Sequence, residues 1–130
     1  MIFIIGGKYQ GKTAYALSLY DKDKKLKICD LAKDSIASMY EADLIKNVQE
    51  GVRKLLAEGI CPLAYFEENL PYLLPKILLG TEIGCGIVPM LEEERRWRDE
   101  TGRVYQLLAD RAQKVVRVWA GIPVIIKEDR

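Results

Sequence analysis

The sequence predicts an α/β fold in three layers, with helices on both sides of a mainly parallel sheet of about five strands. Short apolar runs, typical of buried strands, alternate with longer segments whose apolar residues recur every three or four positions, as on one face of a helix. A glycine-rich loop separates the first apolar run from the first helical segment. Neither a repeat nor a low-complexity tract interrupts the 130 residues, so we expect a single domain over 1–130.

The strands are predicted from apolar runs that end in glycine, proline or charged residues. They cover residues 1–5, 26–30, 76–82, 115–120 and 124–127. Helices are predicted over 11–20, 41–58 and 92–112 from the helical spacing of their apolar residues. Residues 60–75 are ambiguous: Pro62 favours a helix that runs to about residue 70, and Pro71 and Pro75 exclude a longer one.

Composition excludes several classes of function. The 20 basic and 19 acidic residues give a net charge of +1, so a generic electrostatic site for nucleic acid is not expected. Apolar runs are too short for a membrane span, and the first residues lack the basic segment of a signal peptide. Three widely spaced cysteines favour a reducing cytoplasm over a disulfide framework. The chain has no histidine, which excludes Ser/His/Asp and Cys/His catalysis and any nucleotidyl-histidine intermediate.

Residues 6–13, Gly-Gly-Lys-Tyr-Gln-Gly-Lys-Thr, match the phosphate-loop pattern G-x-x-x-x-G-K-[ST] between a predicted strand and a predicted helix. Glycines allow the backbone to curl so that amide groups surround an anion. Lys12 would contact the β- and γ-phosphates of ATP or GTP, and Thr13 would bind Mg²⁺. The fold is therefore predicted to be P-loop NTPase-like. The predicted nucleotide-binding residues are Gly6, Gly7, Lys8, Gln10, Gly11, Lys12 and Thr13.

Two acidic residues end predicted strands. Asp30 is a candidate Mg²⁺ ligand, although aspartate at this position is equally typical of a turn or cap. Glu82 is a candidate catalytic residue that orients a metal-bound water or an acceptor hydroxyl, the alternative being a solvated carboxylate. Trp97 and Trp119 are interpreted as packing residues rather than base-stacking groups.

The chain also resembles a known family. Residues 81–89, Thr-Glu-Ile-Gly-Cys-Gly-Ile-Val-Pro, resemble the N-E-V-G-x-G-I-V-P signature of the bifunctional adenosylcobinamide kinase / adenosylcobinamide-phosphate guanylyltransferase family. Residues 98–109 are similar to its R-D-x-x-G-R-x-N-Q-x-L-A segment, and residues 6–13 to its G-G-x-x-S-G-K-S loop. The resemblance covers residues 1–20 and 76–127 and is weak between them.

This resemblance implies a P-loop enzyme of cobalamin biosynthesis, often a homotrimer, that phosphorylates adenosylcobinamide with ATP or GTP. Its partners would be nucleotide and a corrinoid substrate. Lys12 and Thr13 would take the phosphate and Mg²⁺ roles, Asp30 the acid that ends the family's L-[LI]-[ED]-C strand, and Glu82 the glutamate of N-E-V-G. Family members then transfer GMP through a guanylylated histidine, which this chain lacks.

Two hypotheses follow from the sequence. The first is a shortened kinase of the cobinamide type without guanylyl transfer. The second is a nucleotide-binding protein with a regulatory or assembly role and reduced catalysis. Its basis is that, by the resemblance, the segment carrying the family's histidine is missing between the first helix and the strand at Leu26.

Overall fold

A computed structural model describes residues 1–83 and 91–129. Its sheet has six strands in the spatial order β2-β3-β4-β1-β5-β6, and only the β5–β6 pair is antiparallel. The strands are β1 (Ile2–Gly6), β2 (Ile28–Asp30), β3 (Leu44–Lys46), β4 (Ile77–Thr81), β5 (Lys114–Trp119) and β6 (Ile122–Glu128). This arrangement confirms the predicted α/β, P-loop NTPase-like fold with a mainly parallel sheet.

Helices cover both faces of the sheet. They are α1 (Lys12–Ser18), α2 (Val48–Ala57), α3 (Pro62–Glu68), α4 (Leu70–Leu73) and α5 (Glu92–Arg111), with a 3₁₀ helix over Ile36–Glu41. Among the described residues, no helix is both long and apolar enough to cross a membrane.

Alternation along the strands divides the core into two parts. Phe3 of β1 and Leu78 of β4 pack on one face against α2, α3 and α5, whereas Ile4 and Leu79 pack on the other face near α1. Successive strand residues point to opposite faces, so a strand buried on both faces must be apolar at every position. This requirement is the physical basis of the apolar runs in the sequence.

The predicted helix over residues 41–58 is wrong in its first part, and this error accounts for the sixth strand. Leu44 and Ile45 fit a helical repeat, but they are fully buried on opposite faces of the sheet as part of β3. Pairing with β2 on one side and β4 on the other outweighs the local helical pattern. Asn47 has a left-handed backbone with φ 59°, and α2 begins immediately after it.

The ambiguous segment and the C-terminal strands are also resolved. Pro62 is the first residue of α3, as predicted, and Asn69 separates that helix from α4.

Strands β5 and β6 form a hairpin whose turn residues, Ala120 and Gly121, both have positive φ. Trp119 lies beside this turn and is 64% exposed, so its assignment as a packing residue is wrong.

Lys76 is a buried cation that joins the start of β4 to the 3₁₀ helix. Its ammonium donates hydrogen bonds to the carbonyl oxygens of Met39, Tyr40 and Ala42 at 2.6, 2.8 and 2.6 Å. Burial lowers the pKa of Lys76, and the carboxylate of Asp43 acts in the opposite direction. The three bonds satisfy carbonyl groups at the end of the short helix, where the Met39 oxygen accepts a further bond from the Ala42 amide at 3.3 Å.

Replacing Lys76 by methionine should therefore destabilise the fold. We expect a loss of about 3 kcal/mol in the free energy of unfolding, because buried carbonyl oxygens lose charged donors. Urea denaturation of the wild type, Lys76→Met and the control Lys25→Met, an exposed lysine, measures this loss. Equal stability of the three proteins would contradict a structural role for the Lys76 ammonium.

Candidate functional site

The loop between β1 and α1 begins at a residue that must be glycine. A Cβ at Gly6 would lie 2.5 Å from the backbone oxygen of Val118, which is closer than any real contact. Gly11, at the other end of the loop, has φ 94°, a conformation that L-residues rarely adopt. The two glycines of the motif are thus required by close packing at one end and by backbone conformation at the other.

Lys12 folds back over this loop. Its ammonium donates hydrogen bonds to the backbone oxygens of Gly6 at 3.1 Å and Gly7 at 2.7 Å. Burial lowers the pKa of Lys12, the charge of Glu82 raises it, and the charge of Lys46 lowers it again. The ammonium therefore sits at the loop, close to both a carboxylate and a second cation.

Gln10 attaches the loop to the β5–β6 hairpin. Its side-chain oxygen accepts a hydrogen bond from the Ala120 amide at 2.6 Å, and its backbone oxygen accepts one from the Gly121 amide at 2.8 Å. The sequence gives no hint of this contact, because the partners are 110 residues apart. The side-chain amide of Gln10 thus fixes the position of the loop relative to β5.

A cavity of about 680 Å³ opens over the loop and the ends of β2, β3 and β4. Of the predicted site residues, six line it: Lys8, Gln10, Gly11, Lys12, Thr13 and Asp30. Gly6 and Gly7 do not line it, but their backbone oxygens accept the hydrogen bonds of the Lys12 ammonium. The volume lies within the range of small-molecule and cofactor sites, and sites of this class often lie beyond the carboxyl ends of parallel strands.

Lysines dominate the charge of this cavity. Lys33 and Lys46 line it together with Lys8 and Lys12, and Asp30 is the one acidic residue among the described lining residues. Sequence reasoning missed Lys33 and Lys46. Lys46 could not be predicted as a site residue because residues 41–58 were interpreted as one helix. A strand ending at Lys46 would have indicated that this lysine lies at the same edge of the sheet as the glycine loop. Such a concentration of ammonium groups suits a polyphosphate.

Asp30 makes the hydrogen bonds of a turn residue and also lines the cavity. Its Oδ1 accepts hydrogen bonds from the Ala32 amide at 3.0 Å and from the Asn47 side chain at 2.7 Å, as in a turn. Burial alone would raise the pKa of Asp30, but these hydrogen bonds and the charges of Lys46 and Lys33 lower it below its usual value. The carboxyl is therefore ionised at neutral pH and lies in the cavity.

The residues present fit a magnesium ion. Mg²⁺ prefers oxygen ligands and usually binds through one or two protein groups, with waters and substrate phosphates completing its shell. Thr13 offers a hydroxyl and Asp30 offers Oδ2, which accepts no hydrogen bond within residues 1–83 and 91–129. Both residues line the cavity.

Glu82 lies beside the cavity rather than among its lining residues. Its carboxylate is paired with Arg117 of β5 through bonds of 2.7 and 3.2 Å, and its amide donates to the Gly6 oxygen at 2.9 Å. The predicted catalytic role therefore has weaker geometric support than the roles of the loop residues. Most of the family signature, residues 84–89, lies outside the described residues, and so does Cys85.

Two comparisons with known proteins bear on this site. Residues 63–126 match the family model of cobinamide kinase / cobinamide phosphate guanyltransferase. A segment of 51 residues is 41% identical to the bifunctional adenosylcobalamin biosynthesis protein CobP of Pseudomonas aeruginosa. That segment covers 39% of this chain and 30% of the length of the curated relative.

Nucleotide binding should depend on the Lys12 ammonium. We expect Lys12→Ala to weaken ATP or GTP binding roughly 10- to 100-fold, because charge-assisted hydrogen bonds to phosphate oxygens are lost. Calorimetric titration measures the change, with Lys22→Ala as a control in the exposed turn after α1. Unchanged affinity in a folded Lys12→Ala protein would contradict the role of this lysine.

Proposed function

We propose that the protein is a nucleotide-dependent kinase of cobinamide-type corrinoids. Residues 63–126, about half of the chain, match the model of the cobinamide kinase / cobinamide phosphate guanyltransferase family. The observation that carries this proposal is the lysine-rich cavity over the glycine loop. Its position at the carboxyl ends of β4 and β1 supports phosphate binding next to the family's own segment. The substrate would be ATP or GTP together with a hydroxyl-bearing corrinoid.

Phosphoryl transfer requires positioning and charge stabilisation more than covalent chemistry. Lys12 would exchange the carbonyl oxygens of Gly6 and Gly7 for β- and γ-phosphate oxygens. Lys8, Lys33 and Lys46 would compensate the negative charge of the polyphosphate from the cavity walls. Thr13 and Asp30 would hold Mg²⁺, which supplies further charge neutralisation when bound.

The proposed function does not include guanylyl transfer through a guanylylated histidine, the route of the family that the chain resembles. That route requires a histidine as the nucleophile, and the 130 residues contain none. A kinase step needs no such nucleophile, because the acceptor hydroxyl itself attacks the phosphorus. The two activities are thus separable in this chain on chemical grounds.

A direct assay tests the kinase. The protein is incubated with Mg²⁺, adenosylcobinamide and ATP or GTP labelled in the γ-phosphate, and we expect labelled corrinoid phosphate. Lys12→Ala is the matched negative control. Nucleotide binding without phosphoryl transfer would overturn the kinase. It would favour the regulatory or assembly role, because that role requires nucleotide binding at the loop but no acceptor.

The same incubation contains a test of guanylyl transfer. With GTP, intact-mass spectrometry should show an unmodified chain, because no histidine is available to carry GMP. A covalent GMP adduct on the chain would refute this part of the proposal while leaving the kinase result intact.

We further infer that the protein assembles as a homo-oligomer, a trimer by the resemblance, through the edge strand β6. Apolar side chains on both faces of β6 are exposed: Ile122, Val124, Ile125 and Ile126 are each at least half accessible to solvent. An exposed apolar edge strand offers free backbone groups and an apolar surface to a second copy.

Charge on this strand should prevent assembly. We expect the double variant Val124→Glu/Ile126→Glu to be a monomer at concentrations where the wild type is oligomeric, because burying carboxylates in an interface is costly. Light scattering coupled to size-exclusion chromatography gives the masses, with Ile60→Glu as a control at another exposed apolar position. A monomeric wild type would contradict the assembly.

A further inference from the structure

A second cavity lies next to the first one. It has a volume of about 320 Å³ and shares three lining residues with the nucleotide cavity: Lys8, Asn47 and Thr81. A group bound in the second cavity would therefore lie beside a ligand of the glycine loop. Both cavities belong to one edge of the sheet, at the ends of β3 and β4.

The chemistry of the second cavity differs from that of the first. The additional lining residues are Ala32, Gln49, Glu50, Ile83 and Trp97. Lys8 and Glu50 are its charged residues among those described, so their formal charges cancel, whereas the nucleotide cavity has four lysines and one aspartate. A neutral, partly apolar cavity suits an uncharged ligand better than a second phosphate.

A network of hydrogen bonds holds the wall between the cavities in place. Asn47 donates from its side chain to Asp30 at 2.7 Å and accepts from the Gln49 side chain at 3.2 Å. Gln49 in turn accepts from the Thr81 amide at 3.1 Å, and its backbone oxygen accepts from the Trp97 indole at 2.7 Å. These contacts connect the ends of β2, β3 and β4 with α5, so the wall is fixed by the fold.

Glu50 lines this cavity, and its carboxylate is only partly hydrogen-bonded within the described part of the chain. Its Oε2 accepts a hydrogen bond from Arg53 at 3.1 Å, and the Arg53 guanidinium also lies over the Trp97 ring, 3.9 Å from its centre. Its Oε1 accepts no hydrogen bond within the described ranges 1–83 and 91–129. The carboxylate is thus oriented by one oxygen and available through the other.

We propose that the second cavity holds the phosphoryl acceptor, as an uncharged, hydroxyl-bearing arm whose hydroxyl donates a hydrogen bond to Glu50. This inference rests on the proposed kinase function. A volume of about 320 Å³ equals that of roughly ten water molecules, so an arm of the substrate enters and the bulk of a corrinoid stays outside. Trp97 and Ile83 would contact the apolar part of the arm.

The transfer step balances with these groups alone. The acceptor oxygen forms a bond to the γ-phosphorus, and the bond from that phosphorus to the β,γ-bridging oxygen breaks. Nucleoside diphosphate leaves with that electron pair, and the proton of the hydroxyl passes to the Glu50 carboxylate. We assign this proton transfer to Glu50 rather than to Glu82, because Glu50 lines the second cavity whereas Glu82 lines neither cavity.

Two variants test the site with adenosylcobinamide as the acceptor. Ala32→Phe adds a ring to a residue that lines only the second cavity, and Ala57→Phe is the control at the exposed end of α2. We expect Ala32→Phe to raise the KM for adenosylcobinamide by about tenfold, with nucleotide affinity unchanged within about twofold.

The second variant, Glu50→Gln, should lower kcat by roughly 100-fold and leave nucleotide affinity unchanged. Its control is Glu67→Gln on α3.

The outcomes separate this inference from the proposed function. No phosphoryl transfer by the wild type overturns the kinase, and the acceptor site falls with it. Transfer by the wild type combined with an unchanged KM in Ala32→Phe overturns the acceptor site alone. Equal weakening of nucleotide and acceptor binding also overturns it, because the two cavities would then not be separate sites. An unchanged kcat in Glu50→Gln overturns the assigned proton acceptor.

Discussion

Parallel pairing of β1 with β4 and β5 is the constraint on which the site depends. The register places Gly6 opposite Thr81 on one side and Val118 on the other, so β1 and β4 end at the same level and β5 ends one residue later. Backbone packing at Gly6 is so close that no side chain is possible there. The glycine loop therefore leaves the sheet at a fixed point, and everything that lines the cavity is positioned relative to it.

The charge of the cavity is assembled from separate parts of the chain. The four lysines come from different places: Lys8 lies in the loop, Lys12 begins α1, Lys33 follows β2, and Lys46 ends β3. The overall composition, with a net charge of +1, conceals this local concentration. An electrostatic site of this kind arises from topology, because parallel strands bring their carboxyl ends together although the residues are far apart in the sequence.

Local patterns were sufficient to predict much of the fold and part of the site. Strand β1 and α5 follow from apolar runs and their spacing, and the position of the glycine-rich loop follows from its motif. Strand β3 could not be predicted in this way, because its two buried residues, Leu44 and Ile45, also fit a helix and only pairing with distant strands decides between the two. Lys46 and Asn47 were missed as site residues for the same reason. Asp30 could be predicted because it ends a short apolar run that follows a charged turn and does not fit a helix.

The position of Lys12 determines what a ligand must displace. In the structure its ammonium is already ordered by the loop's own carbonyl oxygens. The rotamer freedom of a lysine side chain costs up to about 2 kcal/mol to remove, and here that cost falls on folding rather than on binding. Capture of the proposed nucleotide would then exchange one set of oxygen atoms for another around a cation that is already in place, with little entropic penalty from this side chain.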